Sequence, residues 1–237
     1  MPRVIEQLVF ELAPPEPPAF ASFVTGRNAE ALAALAALAS GHGRETGVVL
    51  WGAGGVGKTH LLRATVAAAT AAGRAAVYAA EPGALAADPQ VLARSALVAV
   101  DRVEAAGADA QARLFTLYNA LRAAGGALLV AADAAPARLP LRDDLRSRLG
   151  WGLVFEVLPL ADDEKPAALV AWARLRGLAL SDDVVAYLLA HGRRDMASLL
   201  ATLTALDRHS LATRRAITVP LVRDWLQRDI GFTPRPD

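Results

Sequence analysis

The sequence predicts an α/β fold: a five-stranded parallel sheet flanked by helices and followed by a small all-α domain. Three observations predict it. Short apolar runs alternate with helix-length amphipathic segments as far as Pro159, the arrangement of a covered parallel sheet. Beyond Pro159 the strand-like segments stop and only helical patterns follow. A glycine-rich turn joins the first apolar run directly to a helix, as open α/β sheets do where they carry ligands.

The elements follow in order. Residues 1–19 hold the apolar positions Val4, Ile5, Leu8, Val9, Phe10 and Leu12 and then Pro14, Pro15, Pro17 and Pro18. Such a proline run favours extended polyproline geometry, so this stretch reads as an arm. From Arg27 the spacing of Leu32, Leu35 and Leu38 predicts a helix ended by Gly41 and Gly43. Val48–Trp51, Ala75–Ala79, Ala96–Val100, Leu128–Ala132 and Val154–Val157 are the expected strands, each short, apolar and suited to burial on both faces. Lys58–Ala72, Asp109–Ala124 and Leu141–Leu149 are the helices between them. Four more are expected at Asp162–Arg176, Ser181–His191, Asp195–Arg208 and Val219–Asp229, with Ser181 and Asp182 as N-caps and Gly177 and Gly192 as stops. The expected domains are therefore an arm at 1–19, an α/β domain at 20–159 and a helical domain at 160–237.

Composition narrows the function. The 237 residues are 54% hydrophobic and 21% charged with a formal net charge of +1, a globular balance rather than a disordered one. Near-neutrality argues against coating nucleic acid through bulk charge. Apolar runs such as Ala31–Ala39 and Ala127–Ala132 fall far short of the ~20 residues that span a bilayer. No export signal is read at the N-terminus, and the absence of cysteine excludes disulfides, thiol nucleophiles and cysteine metal sites, so a cytoplasmic protein is expected. Nearly all basic residues are arginine, and the only lysines are Lys58 and Lys165.

Lys58 stands in Gly52-Ala53-Gly54-Gly55-Val56-Gly57-Lys58-Thr59, which fits G-x-x-x-x-G-K-[ST] after a predicted strand and at the start of a predicted helix. This is the setting of a P-loop. Glycines let backbone N–H groups converge on phosphate oxygens, Lys58 neutralises the β- and γ-phosphates, and the Thr59 hydroxyl ligates Mg²⁺. The nucleotide-binding stretch is accordingly assigned to Gly52, Gly54, Gly55, Val56, Gly57, Lys58, Thr59 and His60, with ADP or ATP and Mg²⁺ as cofactors. About forty residues on, the strand Ala96–Val100 ends in Asp101, a second expected Mg²⁺ ligand, direct or through water. The next position, where an ATPase of this kind carries an acid to orient water, is Arg102, so intrinsic hydrolysis is expected to be weak. Glu104 is expected to point to the other side of the strand or into a loop. Asp133, after Leu128–Ala132, is a candidate sensor of the γ-phosphate or lytic water. Arg148, at the end of a charged helix before Gly150-Trp151-Gly152, can reach a neighbouring subunit's phosphate.

Phe23-Val24-Thr25-Gly26-Arg27-Asn28, the P-loop, the Asp101 strand, Asp133, Ser147-Arg148-Leu149-Gly150-Trp151-Gly152 and Arg193-Arg194-Asp195-Met196 occur in the order of the AAA+ P-loop NTPase core of the DnaA family. Over essentially the whole chain the sequence is similar to the Hda branch of that family, the regulatory inactivators of DnaA. The resemblance implies that Val24, Gly26 and Asn28 border the adenine, that Asp133 is sensor 1, that Arg148 is an arginine finger acting in trans and that Arg194 is the sensor 2 arginine of an all-α lid. Gln7-Leu8-Val9-Phe10-Glu11-Leu12 resembles the peptide by which Hda docks on the DNA sliding clamp (the polymerase beta subunit), with Gln7, Leu8, Phe10 and Leu12 as contacts. Arg102 departs from the paired acids of DnaA, and Asp144 replaces an arginine of the initiator pattern. The sequence ends at Asp237, soon after the lid, so DNA is expected to be met only through the clamp.

The resemblance thus implies a negative regulator of replication initiation: an ADP- or ATP-bound adaptor on the clamp that stimulates ATP hydrolysis on DnaA. The competing readings are a stand-alone AAA+ ATPase, helicase-loader-like or initiator-like, and a non-catalytic clamp-binding scaffold. A homodimer through the surface that bears Arg148 is also allowed.

Overall fold

Gly41, which ends the first helix, and Gly57, which opens the second, frame the first strand of the sheet. The computed structural model describes residues 18–85, 88–193, 195–213 and 215–229. One unit runs to Pro159 and contains α1 (Ala29–Ser40), β1 (Gly47–Trp51), α2 (Lys58–Ala71), β2 (Ala76–Ala79), α3 (Pro89–Leu92), β3 (Leu97–Val100), α4 (Ala108–Ala124), β4 (Ala127–Ala132), α5 (Asp143–Gly150) and β5 (Leu153–Glu156). Its five strands lie in the order β2-β3-β4-β1-β5 with every neighbouring pair parallel. Parallel strands need crossover helices, which cover both faces, and the central strands are accordingly buried along their whole length.

Alternation along the strands divides the core in two. Val49, Val98, Val100, Leu128 and Val130 face Leu114, Leu117, Leu121, Leu145 and Leu149 from α4 and α5. Val48, Leu50, Leu97, Ala99, Leu129 and Ala131 face Leu35, Leu38, Leu61 and Leu62 from α1 and α2. Alanine lets the helices sit close; the bulk comes from leucine at helical spacing, as at Leu114, Leu117 and Leu121. Two buried amides fix how the helices enter. Gln111 donates to Ala106 O at 2.8 Å and accepts from Arg142 N–H at 2.8 Å, which sets where α5 begins. Asn28 does the same for α1, as described below.

The second unit starts at Leu160 and contains α6 (Lys165–Leu175), α7 (Asp182–His191), α8 (Met196–Thr213) and α9 (Val219–Asp229). It has a core of its own, with Leu169, Trp172, Val184, Leu188, Leu199, Leu203 and Leu206 buried together with Val222 and Leu226. Asp195 accepts from Ser198 N–H at 2.8 Å at the start of α8.

Elements match the expected ones within a few residues, but β5 is an edge strand with Leu153 and Val154 exposed rather than a strand buried on both faces, and three further differences follow. The short α3 was not expected from periodicity: Asp88 accepts from Gln90 N–H at 2.7 Å and Pro89 preorganises the turn, a local signal too short to be periodic. Helix α8 continues past Arg208 to Thr213, where the His209 ring packs against Trp225 of α9 and Thr213 Oγ1 donates to His209 O at 2.8 Å. Ser181 holds the N-cap position of α7 but its side chain makes no capping bond.

Candidate functional site

Three strand ends meet on one edge of the sheet. β3, β4 and β1 are neighbours, so the residues after Val100, Ala132 and Trp51 emerge together at their carboxyl ends, where open α/β sheets bind ligands. Those residues are Asp101, Asp133 and the loop that opens at Gly52. The loop depends on glycine at its ends. Gly52 has φ of 148° and a Cβ there would lie 2.6 Å from Val157 O, while Gly57 has φ of 100° and a Cβ there would lie 2.6 Å from the Phe23 ring. Helix α2 then starts with Gly57 as its N-cap, no side chain capping it and no acid in its first turn. Its first N–H donors and the positive end of its dipole are therefore open to an anion.

Lys58 leads that helix. Its Nζ donates to Gly52 O at 2.6 Å and to Ala53 O at 2.8 Å, which holds the ammonium over the loop. Partial burial holds the Lys58 pKa below its ordinary value, and the carboxylates of Glu104, Asp101 and Asp133 act in the opposite direction. Thr59 Oγ1 donates to Asp101 Oδ2 at 2.5 Å. Asp101 is 5% exposed and also accepts from Arg102 N–H at 2.9 Å and from Tyr78 O–H at 3.3 Å. Burial, and then the Asp101 charge, raise the Tyr78 pKa.

A hydroxyl and one buried carboxylate side by side suit Mg²⁺, which keeps waters and phosphate oxygens for its remaining positions. Among the described residues no group of three or more His, Cys, Asp or Glu could hold a metal without such help. Thr59 and Asp101 thus fit an ion that arrives with a nucleotide.

The other expected residues fall in different places. Val24 is half-buried and Gly26 has φ of 46° in the turn before α1. Asn28 is 4% exposed; its Nδ2 donates to Leu158 O at 2.9 Å and its Oδ1 accepts from Leu158 N–H at 2.8 Å, a two-way tie between the start of α1 and the chain after β5. The His60 Nε2 lies 3.0 Å from Ala19 O and 3.3 Å from Ser22 Oγ, so this ring holds the segment ahead of α1. Gly54, Gly55 and Val56 form the loop between Gly52 and Gly57. Gln7, Leu8, Phe10, Leu12 and Arg194 lie outside the described residues.

Arg148 lies at the other end of the sheet. The last turn of α5 abuts the first residue of β1: a Cβ on Gly47 would lie 3.9 Å from Arg148 O. The P-loop follows the last residue of β1, and that strand spans roughly 13 Å. The Arg148 guanidinium is held by Nε–H donation to Asn119 Oδ1 at 3.1 Å and lies over the rings of Trp151 at 4.4 Å and Phe115 at 5.2 Å. Trp151 is 56% exposed, so the clamp stands at the surface. Sequence reasoning missed Asn119, Phe115 and Trp151 as partners, and Tyr78 as a ligand of Asp101, because each lies on a separate element.

Glu104 takes the second of its two expected places, in a loop beyond the strand. It lies in a 3₁₀ turn, Val103–Ala105, with one carboxylate oxygen buried and without a hydrogen-bond partner, and its charge acts on Lys58. The strand has already ended, so strand alternation no longer governs where the side chain goes.

Fold and site together define an AAA+ P-loop protein. The domain III structure of the Thermotoga maritima replication initiation protein DnaA has the same fold, with a TM-score of 0.77 at 19% identity over 90% of this chain and 96% of that one. AMPPCP-bound DnaA from Aquifex aeolicus matches with a TM-score of 0.63 at 22% identity, over 75% of this chain and 60% of that longer one. The Thermotoga maritima RuvB Holliday junction branch migration motor matches with a TM-score of 0.67 at 18% identity, over 90% of this chain and 72% of that one. The helical unit narrows the class: residues 162–226 match the family described as Hda, lid domain, and the chain resembles Hda. Among the described residues no helix is long and apolar enough to cross a membrane.

Proposed function

We propose that this chain is a cytoplasmic, nucleotide-bound regulator of replication initiation. It binds ADP or ATP with Mg²⁺ at the P-loop, docks on the DNA sliding clamp through Gln7, Leu8, Phe10 and Leu12, and offers Arg148 to ATP held by DnaA. The observation that carries the reading is the placement of Arg148, a clamped surface guanidinium at the end of β1 opposite the chain's own P-loop. An arginine so placed is of no use to its own nucleotide and is presented to a neighbour.

Each part has a task. The open N–H donors of α2 and the Lys58 ammonium bind phosphate oxygens; Thr59 and Asp101 hold the ion that neutralises them. The bound nucleotide stabilises the folded α/β unit by linkage. Asn119, Phe115 and Trp151 hold the Arg148 guanidinium in place, so that little side-chain freedom is lost when it meets a partner's phosphate. Its Nη groups have no hydrogen-bond partner among the described residues and remain to stabilise negative charge on the transferring phosphoryl group.

The test is single-turnover decay of ATP pre-bound to DnaA, on adding this protein with ADP and DNA-loaded clamp. Acceleration that falls by ~10³-fold or more in Arg148→Ala is the expected result. No acceleration, with ATP turnover by the chain alone that Lys58→Ala abolishes, would establish a stand-alone ATPase instead. Stimulation untouched by Arg148→Ala but lost without Gln7 would leave a clamp-binding scaffold.

A further inference from the structure

The two flanks of the P-loop are built differently. Toward β3 and β4 stand Asp101 and Asp133, with Thr59 donating to the first, a set that suits an ion and the terminal phosphate. Toward β5 the flank is the segment Phe23–Asn28. It begins at the P-loop, where a Cβ on Gly57 would lie 2.6 Å from the Phe23 ring, and it ends at Leu158, just beyond β5, which Asn28 holds by two hydrogen bonds. A nucleotide whose ion and terminal phosphate lie at Thr59 and Asp101 extends its sugar and base the other way, across β1 and onto this segment.

His60 joins the two flanks. It is the third residue of α2, so its backbone N–H is among the open donors of the first turn; Leu61 N–H is already bonded back to Gly57 O at 3.0 Å. Its two predecessors send their side chains elsewhere, Lys58 to Gly52 O and Ala53 O and Thr59 to Asp101. The His60 ring instead reaches the chain ahead of α1, with Nε2 3.0 Å from Ala19 O and 3.3 Å from Ser22 Oγ. A carbonyl only accepts, so Nε2 carries a proton and donates to it. Ser22 O–H donates to the same carbonyl at 2.8 Å, and Phe23 N–H donates to Phe20 O at 3.1 Å. The 3₁₀ turn Phe20–Ser22 is thus closed on itself and fastened to α2 through one imidazole, which lies 6.0 Å from the Phe23 ring.

We propose that His60 couples phosphate binding to recognition of the base. Its backbone N–H meets the phosphates, while its ring positions the Ala19–Phe23 turn and, through it, the flank on which sugar and base lie. His60 is a positioning residue, since the ring touches protein rather than nucleotide. With the flank already fastened to the phosphate-binding turn, less freedom is lost when the base settles. The inference rests on nucleotide binding at the P-loop proposed above.

The experiment is calorimetric titration of the full chain in Mg²⁺ with ADP and with inorganic pyrophosphate, which fills the phosphate end and has no base. The proteins are the wild type, His60→Ala, His60→Gln and Ser22→Ala. The expected result in His60→Ala is ADP affinity lower by roughly five- to tenfold, the loss of one hydrogen bond and the ordering it provides, with pyrophosphate affinity within about twofold because alanine keeps the backbone N–H. Glutamine can donate to Ala19 O and should restore most of the ADP affinity, and Ser22→Ala should weaken ADP alone by a smaller factor. Equal weakening of both ligands in His60→Ala, or ADP affinity unchanged there, overturns the coupling while the nucleotide site stands. If the wild type binds neither ligand, the nucleotide reading falls and the coupling with it. Thermal melts without ligand report folding; should His60→Ala not fold, Ser22→Ala decides, and an unchanged ratio of ADP to pyrophosphate affinity there overturns the proposal.

Discussion

Replacing Asn28 with alanine tests how the sheet's ligand edge is held together. The side chain is 4% exposed and ties the start of α1 to Leu158, 130 residues away, through hydrogen bonds of 2.9 and 2.8 Å. Asn28 stands at the N-cap of α1 yet makes no capping bond, so the loss is that of a long-range tie rather than of a cap. Each bond contributes about 1 kcal/mol, and the N–H and C=O of half-buried Leu158 are left to find water, which brings the cost to roughly 2–3 kcal/mol. For a chain of this size that lowers Tm by roughly 5–10 °C. Asn28→Asp sharpens the argument: one oxygen still accepts from Leu158 N–H, but the other sets negative charge against Leu158 O, so it costs at least as much as alanine. Urea unfolding followed by circular dichroism, with a thermal melt beside it, reads both variants. If Val24 and Gly26 border the adenine as the resemblance implies, the tie supports that side of the site, and the rise in Tm on adding saturating ADP should also shrink in both. Midpoints within about 0.5 kcal/mol of wild type would refute the reasoning and mean that water replaces the amide at Leu158 without loss.

Asp195→Ala should cost about 1 kcal/mol in the helical unit at neutral pH through the lost N-cap of α8. Burial alone would raise the Asp195 pKa, but bonds from Ser198, its own N–H and the charge of Arg193 hold it below the ordinary value. The stabilisation is therefore present above about pH 4 and lost as pH falls through the depressed folded pKa; a difference between wild type and variant that persists undiminished at pH 2 in urea titrations would contradict this. Gly152→Ala drives a Cβ into Gly47 O, a backbone atom at the start of β1, and should cost several kcal/mol; a melting point within 2 °C of wild type would show that β5 shifts freely. Asn119→Ala removes the Nε–H bond that aims Arg148 and should lower stimulation of DnaA ATP hydrolysis on the order of tenfold with ADP affinity unchanged; full stimulation would mean the two rings aim the guanidinium alone.

The sequence by itself determined the order of strands and helices, the P-loop, and the carboxylates that end β3 and β4. These are local signals: glycine at turns, leucine at helical spacing and unbroken apolar runs need no knowledge of what they pack against. The AAA+ fold follows from them, since parallel strands with helical crossovers have few arrangements open to them. Tertiary structure decided the pairings between distant residues. That Asn28 is spent on Leu158, that His60 holds Ala19, that Tyr78 reaches Asp101 and that Asn119, Phe115 and Trp151 enclose Arg148 depend on elements far apart in the chain being brought side by side. Glu104 shows the boundary most clearly. Strand alternation leaves its place open, on the far side of the strand or in a loop, and the left-handed backbone of Arg102 with the 3₁₀ turn after it decides for a turn with one carboxylate oxygen buried, because one residue's φ angle redirects the chain that follows while leaving no mark on the apolar pattern.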